Sequence, residues 1–280
     1  PYGTWYVREI EQPAGFVLDD TIYPVTIGAD GQVVEIEIVN RYVRGNIHLT
    51  KVDSEYPDNK LTGATFEVYK DSNATGNLDD GDELLGTLTE KEIGEYSMND
   101  LFYGRYFVKE TKAPEGFVLD TGVYEVMIDT NGKTYKVENK AGVGFVNDAM
   151  RGNLKIIKTS SDGKVKGFAF RITGANGYDI ILETNDKGEI FIDGLRIGDY
   201  TISEVSNSAS SMYVIPADKK ATVKIGSTTI VEMHNVLRDT PKTGDTTNLP
   251  LLYALAGLSA VGIAVCGVIG FKKKKKEDRN

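Results

Sequence analysis

Trp5 to Asp19 reads WYVREIEQPAGFVLD and Tyr106 to Asp120 reads YFVKETKAPEGFVLD, one phrase returning at a spacing of 101 residues. A phrase repeated at domain-sized spacing restricts a chain to an array of like modules. Within its first half the side chains alternate as on a strand, so Tyr106, Val108 and Glu110 share one face, as do Trp5, Val7 and Glu9. Each copy therefore sets a glutamate where the apolar face should continue. A charge on a buried face needs a partner or a task.

Two further alignments extend the repeat. Gly94 to Glu110, GEYSMNDLFYGRYFVKE, matches Gly188 to Glu204, GEIFIDGLRIGDYTISE, at six positions. Asn40 to Lys51, NRYVRGNIHLTK, and Asn147 to Lys158, NDAMRGNLKIIK, share Asn, Arg-Gly-Asn and Lys at a spacing of 107, and a third asparagine stands at Asn235. These repeats divide the chain into the C-terminal part of a truncated module A (1–44), a complete module B (45–150), a shorter complete module C (151–238) and a C-terminal signal (239–280). The chain does not begin with Met, and PYGTWYV enters a strand pattern directly, which predicts a start cut through a larger protein. Short alternating runs rich in Val, Ile, Tyr and Thr lie between turn signals such as Asn131-Gly132, Asp162-Gly163 and Lys187-Gly188, with no sustained helical period before residue 249. The expected fold is all-β: tandem antiparallel β-sandwich modules, each about immunoglobulin size, followed by a C-terminal transmembrane helix.

The alternation places two more polar residues inward. Module B sets Ile47, Leu49 and Lys51 on one face of its first strand and Val143, Phe145 and Asn147 on one face of its last. Module C repeats this with Leu154, Ile156, Lys158; Tyr200, Ile202, Glu204; and Val231, Met233, Asn235, while module A keeps Glu9 and an Ile36, Ile38, Asn40 face. One such Lys and Glu could be an ordinary buried ion pair or a strand-end charge. Recurrence of the trio in the same order favours shared chemistry instead. Burial disfavours both charged forms, so the lysine can act as a neutral nucleophile while the glutamic acid holds a proton. That acid can donate to the Asn side-chain carbonyl and then pass a proton to the departing ammonia. The product is a Lys–Asn amide joining the first and last strands.

With these residues in place the chain resembles the Cna B-type, SpaA-like pilin modules of Gram-positive surface proteins, whose signature is YxVxExxxPxGY. WYVREIEQPAGF and YFVKETKAPEGF match it apart from aromatic exchanges at the ends, and with the Lys and Asn positions the resemblance covers nearly all of residues 1–238. It implies prealbumin-like sandwiches and spontaneous isopeptide bonds: Lys51 with Asn147 assisted by Glu110, and Lys158 with Asn235 assisted by Glu204. Module A retains Glu9 and Asn40. Module C departs after its glutamate, reading EVSNSASSMY without the Pro and Gly.

The end of the chain carries a different signal. Leu249 to Phe271 is a 23-residue stretch without a charge, followed by Lys272 to Lys276. At about 1.5 Å per residue it is long enough to cross a bilayer, and the lysines behind it predict that everything before residue 249 faces outward. Just ahead of it, TPKTGD (Thr240 to Asp245) resembles a sortase cell-wall sorting signal of the LPxTG kind, with Thr240 where Leu is usual. The resemblance implies cleavage between Thr243 and Gly244 and transfer to a peptidoglycan amine or another pilin subunit, after a membrane-bound precursor state. Without residues 244–280 the chain holds 26 Lys and Arg against 38 Asp and Glu, a net −12 that argues against nucleic acid as a partner. The single cysteine, Cys266, lies inside the apolar stretch, so no disulfide can reinforce the outward modules.

DSNATGNLDDGD, Asp71 to Asp82, has the spacing of a calcium loop, with Asp71, Asn73, Thr75, the Asn77 carbonyl, Asp79 and Asp82 as candidate ligands; an acidic hairpin loop is the alternative. His48 and His234 fall on outward faces, and no phosphate-binding glycine loop occurs. No cofactor is required and no turnover enzyme is expected, since the glutamate acts once on its own chain. The sequence points to a cell-wall-anchored structural stalk or pilus-related surface protein. The alternative is an adhesin whose modules bind host matrix or glycan directly.

Overall fold

The computed structural model describes residues 1–239. Among them the only helical element is a three-residue 3-10 turn, Ala175–Gly177; the rest is strand and connection, as the period-two pattern predicts. In module B one sheet runs Val123–Ile128, Gly104–Lys112, Thr65–Lys70, Glu83–Thr87. The facing sheet runs Thr134–Lys136, Arg44–Asp53, Glu95–Phe102, Thr89–Glu92, with Phe145–Asn147 also paired to Arg44–Asp53. Ile47, Leu49, Phe66, Val68, Tyr96, Val108, Ile128 and Phe145 fill the space between. Phe66 meets Tyr96 and Phe145 edge-on, with centroids 5.3 and 4.9 Å away. Burying each large apolar side chain contributes about 2 kcal/mol, which fixes the two sheets face to face.

Module C repeats the plan. Its sheets run Glu189–Arg196, Arg151–Ser160, Thr228–Leu237, Tyr213–Val214 and Asp179–Glu183, Ala169–Thr173, Gly198–Val205, Lys219–Val223, around a core that includes Phe168, Phe170, Ile202 and Met233.

Two expectations change. The strands are not all antiparallel: Arg44–Asp53 pairs with Phe145–Asn147 in parallel, and Arg151–Ser160 with Thr228–Leu237 likewise. No hairpin joins the first strand of a module to its last, so nothing forces them to oppose. In module A, Gly3–Val7 pairs with Tyr23–Ile27, but residues 33–40 form no strand, and the predicted Ile36, Ile38, Asn40 face is irregular chain. In module B the corresponding last strand is held by the first, and residues 1–42 contain no such partner.

Several repeated letters are architectural. Asn46 and Asn153, from the Arg-Gly-Asn repeats, each accept a backbone N–H at 3.1 Å across a bulge in the first strand. Tyr106 and Tyr200 each donate their hydroxyl to the carbonyl four residues earlier, at 2.8 and 2.9 Å. Pro13-Ala14-Gly15-Phe16 and Pro114-Glu115-Gly116-Phe117 are tight turns with Gly15 and Gly116 at φ +84° and +83°, closed by Phe N–H to Pro carbonyl bonds of 3.1 Å. Each turn then laps onto the chain entering the next module: Gly15 accepts from Val43 and Gly116 from Met150, both at 2.8 Å.

Modules B and C meet at an ion pair. Arg196 clamps the buried Asp53 with two bonds of 2.5 and 2.6 Å and reaches Glu55 at 2.8 Å; Arg151 also pairs with Glu55. Removing one member of a buried pair costs about 3 kcal/mol, which separation of the modules would relieve by wetting Asp53. Arg196→Ala is therefore expected to speed tryptic cleavage at Arg151 while both modules stay folded. Cleavage at the parent rate would show that the junction does not depend on this pair.

Candidate functional site

The reactive side chains of module B are positioned by strand register. Lys51 lies opposite Phe145 on the parallel pair, so Asn147, two residues on, projects from the same side. The Lys51 N–H donates to the Gly94 carbonyl at 2.7 Å. Gly94 sits at φ +70°, and a Cβ there would stand 2.9 Å from the Lys51 carbonyl oxygen; Gly188 repeats this against Lys158, at φ +76° and 2.8 Å. The glycine shared by the second alignment thus lets a turn close over the lysine backbone. Glu110 arrives from the opposite sheet on Gly104–Lys112, paired across to Phe66.

Lys51 and Glu110 are fully buried and Asn147 nearly so. Burial lowers the Lys51 pKa to about 8 against the upward pull of Glu110, Asp120 and Asp53. About a tenth of the lysine is then neutral at pH 7. Its Nζ donates to the Phe145 carbonyl at 3.2 Å. Burial raises the Glu110 pKa, opposed by hydrogen bonds from the Asp120 N–H and Asn147 and by the Lys51 charge. Both shifts favour the uncharged pair that amide formation requires.

The Asn147 amide is turned differently from the expectation. Its Nδ2 donates to both Glu110 oxygens, at 3.0 and 2.8 Å, while its Oδ1 is buried without a partner. An ionised carboxylate only accepts, so it faces the amide nitrogen; a protonated Glu110 could donate to Oδ1 after a half-turn about Cβ–Cγ. In the orientation described, Glu110 lies against the nitrogen that would depart as ammonia.

Module C brings the same three residues together less completely. Lys158, Glu204 and Asn235 are buried, and Asn235 Nδ2 donates to Glu204 Oε1 at 2.7 Å. Glu204 Oε2 and Asn235 Oδ1 are buried without partners. Lys158 donates to the Thr159 carbonyl and lies 4.0 Å from the Phe168 ring centroid. Burial lowers its pKa and raises that of Glu204. In module A, Asn40 Nδ2 donates to Glu9 Oε1 at 2.6 Å, but both are only half-buried, and Trp5 and Val7 on the same face are exposed.

The sequence reading missed Asp120, Tyr124 and Asn139. The Asp120 N–H donates to Glu110 Oε2 at 2.8 Å, and its carboxylate accepts from Gly122 N–H (2.6 Å), Tyr124 hydroxyl (2.9 Å) and Asn139 Nδ2 (2.7 Å). Module A repeats the arrangement: Asp19 N–H to Glu9 Oε2 at 2.7 Å, with Thr21 N–H and the Tyr23 hydroxyl on the Asp19 carboxylate. The signal was present, because the 101-residue repeat continues past its final Asp to Tyr23 and Tyr124.

In the acidic loop the candidate ligands face donors of the loop itself. Asp71 accepts from Thr75 and Gly76, Asp79 from Asn73, Thr75 and Gly81, and Asp82 from Ser72 and Asp79, while Thr75 donates to the Asn77 carbonyl. Among the described residues no three His, Cys, Asp or Glu side chains group as a metal would require. His48 pairs with Glu95 at 2.9 Å and His234 with Thr159 at 2.8 Å, both at the surface side of their strands. Thr243, Gly244, the apolar stretch 249–271 and the lysines 272–276 lie outside the described residues. No helix among the described residues is long and apolar enough to cross a membrane.

Comparison with known proteins gives a consistent picture. The model of a SpaA prealbumin-like fold domain matches residues 1–42, 45–141 and 152–236. The trypsin-resistant surface T6 protein of Streptococcus pyogenes serotype M6 is 27% identical over 176 residues, 61% of this chain and 29% of that protein. The structure of the Bacillus anthracis TIE protein superposes with a TM-score of 0.63 at 26% identity, over 84% of this chain and 42% of that one. A streptococcal ancillary pilin matches at 22% identity over 85% of this chain and 76% of its own, with a TM-score of 0.31 that carries no argument. The chain thus spans less than a third of the T6 protein and less than half of the TIE chain.

Proposed function

Because the chain belongs to the family of SpaA prealbumin-like fold domains, we propose that it forms part of a Gram-positive surface stalk or pilus-related protein whose modules B and C are each closed by a Lys–Asn amide. The observation that carries this reading is the burial of one Lys, one Glu and one Asn at matching places in both modules, with the Asn amide on the Glu carboxyl. Neutral Lys51 Nζ attacks Asn147 Cγ, the Nζ–Cγ bond forms, the Cγ–Nδ2 bond breaks, and Glu110 carries the proton from Nζ to the departing ammonia. Lys158, Asn235 and Glu204 act alike. The glutamate works once, so this is not turnover catalysis.

The amide would join first and last strands directly. Tension entering a module at one end and leaving at the other would then pass through a covalent bond instead of unzipping strands. This fits modules that contain no cysteine, Cys266 lying in the apolar stretch behind them. It also fits the trypsin resistance for which the T6 relative is named. In the same reading TPKTGD is the sortase signal: Thr243 is transferred from Gly244 to a peptidoglycan amine or another pilin subunit, with 249–271 and the lysines holding the precursor in the membrane until then.

Intact mass tests the central step. Folded protein is expected to lack one ammonia per complete module, with cross-linked Lys51–Asn147 and Lys158–Asn235 peptides after digestion. A mass equal to the plain sequence would reject the amides and leave only the fold.

A further inference from the structure

Glu110 and Glu204 sit at the same place in their modules, yet their surroundings differ. Glu110 accepts from Asn147 and from the Asp120 N–H, so both its oxygens are held. Glu204 accepts from Asn235 alone, and its Oε2 is buried without a partner. The difference traces to the loop after the glutamate. In module B it turns at Pro114 and Gly116 and returns through Asp120; in module C it reads SNSASSM and folds on Asn207, whose Oδ1 accepts from Ala209 and Ser210 and whose Nδ2 donates to Gly167, pointing no donor at Glu204.

Asp120 is itself fixed from three sides, by Gly122, Tyr124 and Asn139. Burial would raise its pKa, but these donors hold it below the usual carboxylate range, while the Tyr124 hydroxyl, buried against it, is pushed up to about 12. Asn139 spans from Asp120 to the last strand: its Nδ2 donates to Asp120 and to the Val146 carbonyl at 2.8 Å, and its Oδ1 accepts the Val146 N–H at 2.6 Å. Val146 is the residue before Asn147. A cleft of about 210 Å³ is lined by Asp120, Asn139, Val146 and Asn147 among others, so the brace and the reacting asparagine share one opening.

We propose that Asp120 is a positioning residue for amide formation in module B: its N–H fixes Glu110 Oε2, and its carboxylate, through Asn139, ties that acid to the strand carrying Asn147. The inference rests on the amide reading above. It explains why the repeated phrase ends in Asp, and why module A keeps the same Asp-to-Glu bond at Asp19. It also orders the two complete modules: module B, braced, closes faster than module C. Holding acid and electrophile in one geometry removes an ordering step from the reaction.

Cell-free synthesis of the chain, quenched in denaturant at intervals and digested, follows cross-linked and free peptides of both modules in one sample. In the parent, module B is expected to close before module C. Asp120→Ala should slow module B by about tenfold or more with module C unchanged, the loss expected when a reacting group is loosened. Asp120→Asn should recover part of the rate, because its amide oxygen in the Oδ2 place can still accept from Asn139 Nδ2 and the Tyr124 hydroxyl, with only the Gly122 bond lost; a merely destabilised module would not be rescued selectively. If Asp120→Ala fails to fold by circular dichroism, Asn139→Ala carries the same expectation. Parent-rate closure in the folded Ala variant, or no recovery with Asn, overturns the positioning role while leaving the amide in place. A parent module B that never loses ammonia rejects the amide reading, and this proposal with it.

Discussion

Lys51→Met should leave module B with its ammonia retained and its Tm lower by about 20 °C. The size follows from the loop that the amide closes: residues 51 and 147 are 96 apart, and a covalent link across about 100 residues is worth about 4.7 kcal/mol in chain entropy. In a domain of this size each kcal/mol moves Tm by about 4–8 °C. Methionine removes the nucleophile while nearly filling the lysine volume, and it takes a buried amine out of the core, so cavity and desolvation effects do not inflate the loss. Differential scanning calorimetry, with intact mass on the same sample, checks both halves. The variant should also become susceptible to trypsin within module B. Parental melting in protein that has lost the amide would mean that the link contributes no stability.

Glu110→Gln should slow closure of module B by about 10²–10⁴-fold, the range for loss of a positioned proton-transfer group. Gln preserves an acceptor for the Asp120 N–H but cannot carry a proton, so the variant separates proton transfer from hydrogen bonding. The parental pH profile carries the same signature. Closure requires Lys51 neutral and Glu110 protonated, with the lysine lowered to about 8 by burial and the acid raised by burial. At high pH the lysine gains no more neutral form while the acid loses its proton, so the rate falls. Below the raised Glu110 value the acid is already protonated and neutral lysine is lost, so the rate falls again. The result is a bell with its maximum between the two. A rate that climbs steadily through pH 10, or a Gln variant that closes like the parent, would remove Glu110 from the chemistry.

Much of this site was legible because it rests on local rules. A period of two places Lys51, Glu110 and Asn147 on apolar faces whatever the strands pair with, and the structure finds all three buried. The exceptions are instructive. Module A has the letters of the same pattern, yet Ile36, Ile38 and Asn40 form no strand, since alternation alone does not supply a neighbour. Asp120 escaped because it lies in a loop, outside any alternation. What marks it is a hydrogen bond between residues ten apart and a brace from Asn139. Arg196 escaped for a similar reason: it occupies the position of Phe102 in the module alignment, and its partner Asp53 belongs to another module.

The sequence alone therefore determined the all-β class of the described residues, the repetition of modules, and the inward placement of Lys51, Glu110, Asn147 and their module C counterparts, for all of these follow from chain periodicity and repeat spacing. Tertiary structure decided who meets whom. The parallel pairing of first and last strands sets Phe145 opposite Lys51 and Asn147 two residues further along the same side, the facing sheet delivers Glu110, and the loop closure that follows supplies Asp120 in module B and leaves Glu204 half-satisfied in module C. Such contacts depend on register and on the packing of distant segments, and neither is encoded in the alternation of neighbouring residues.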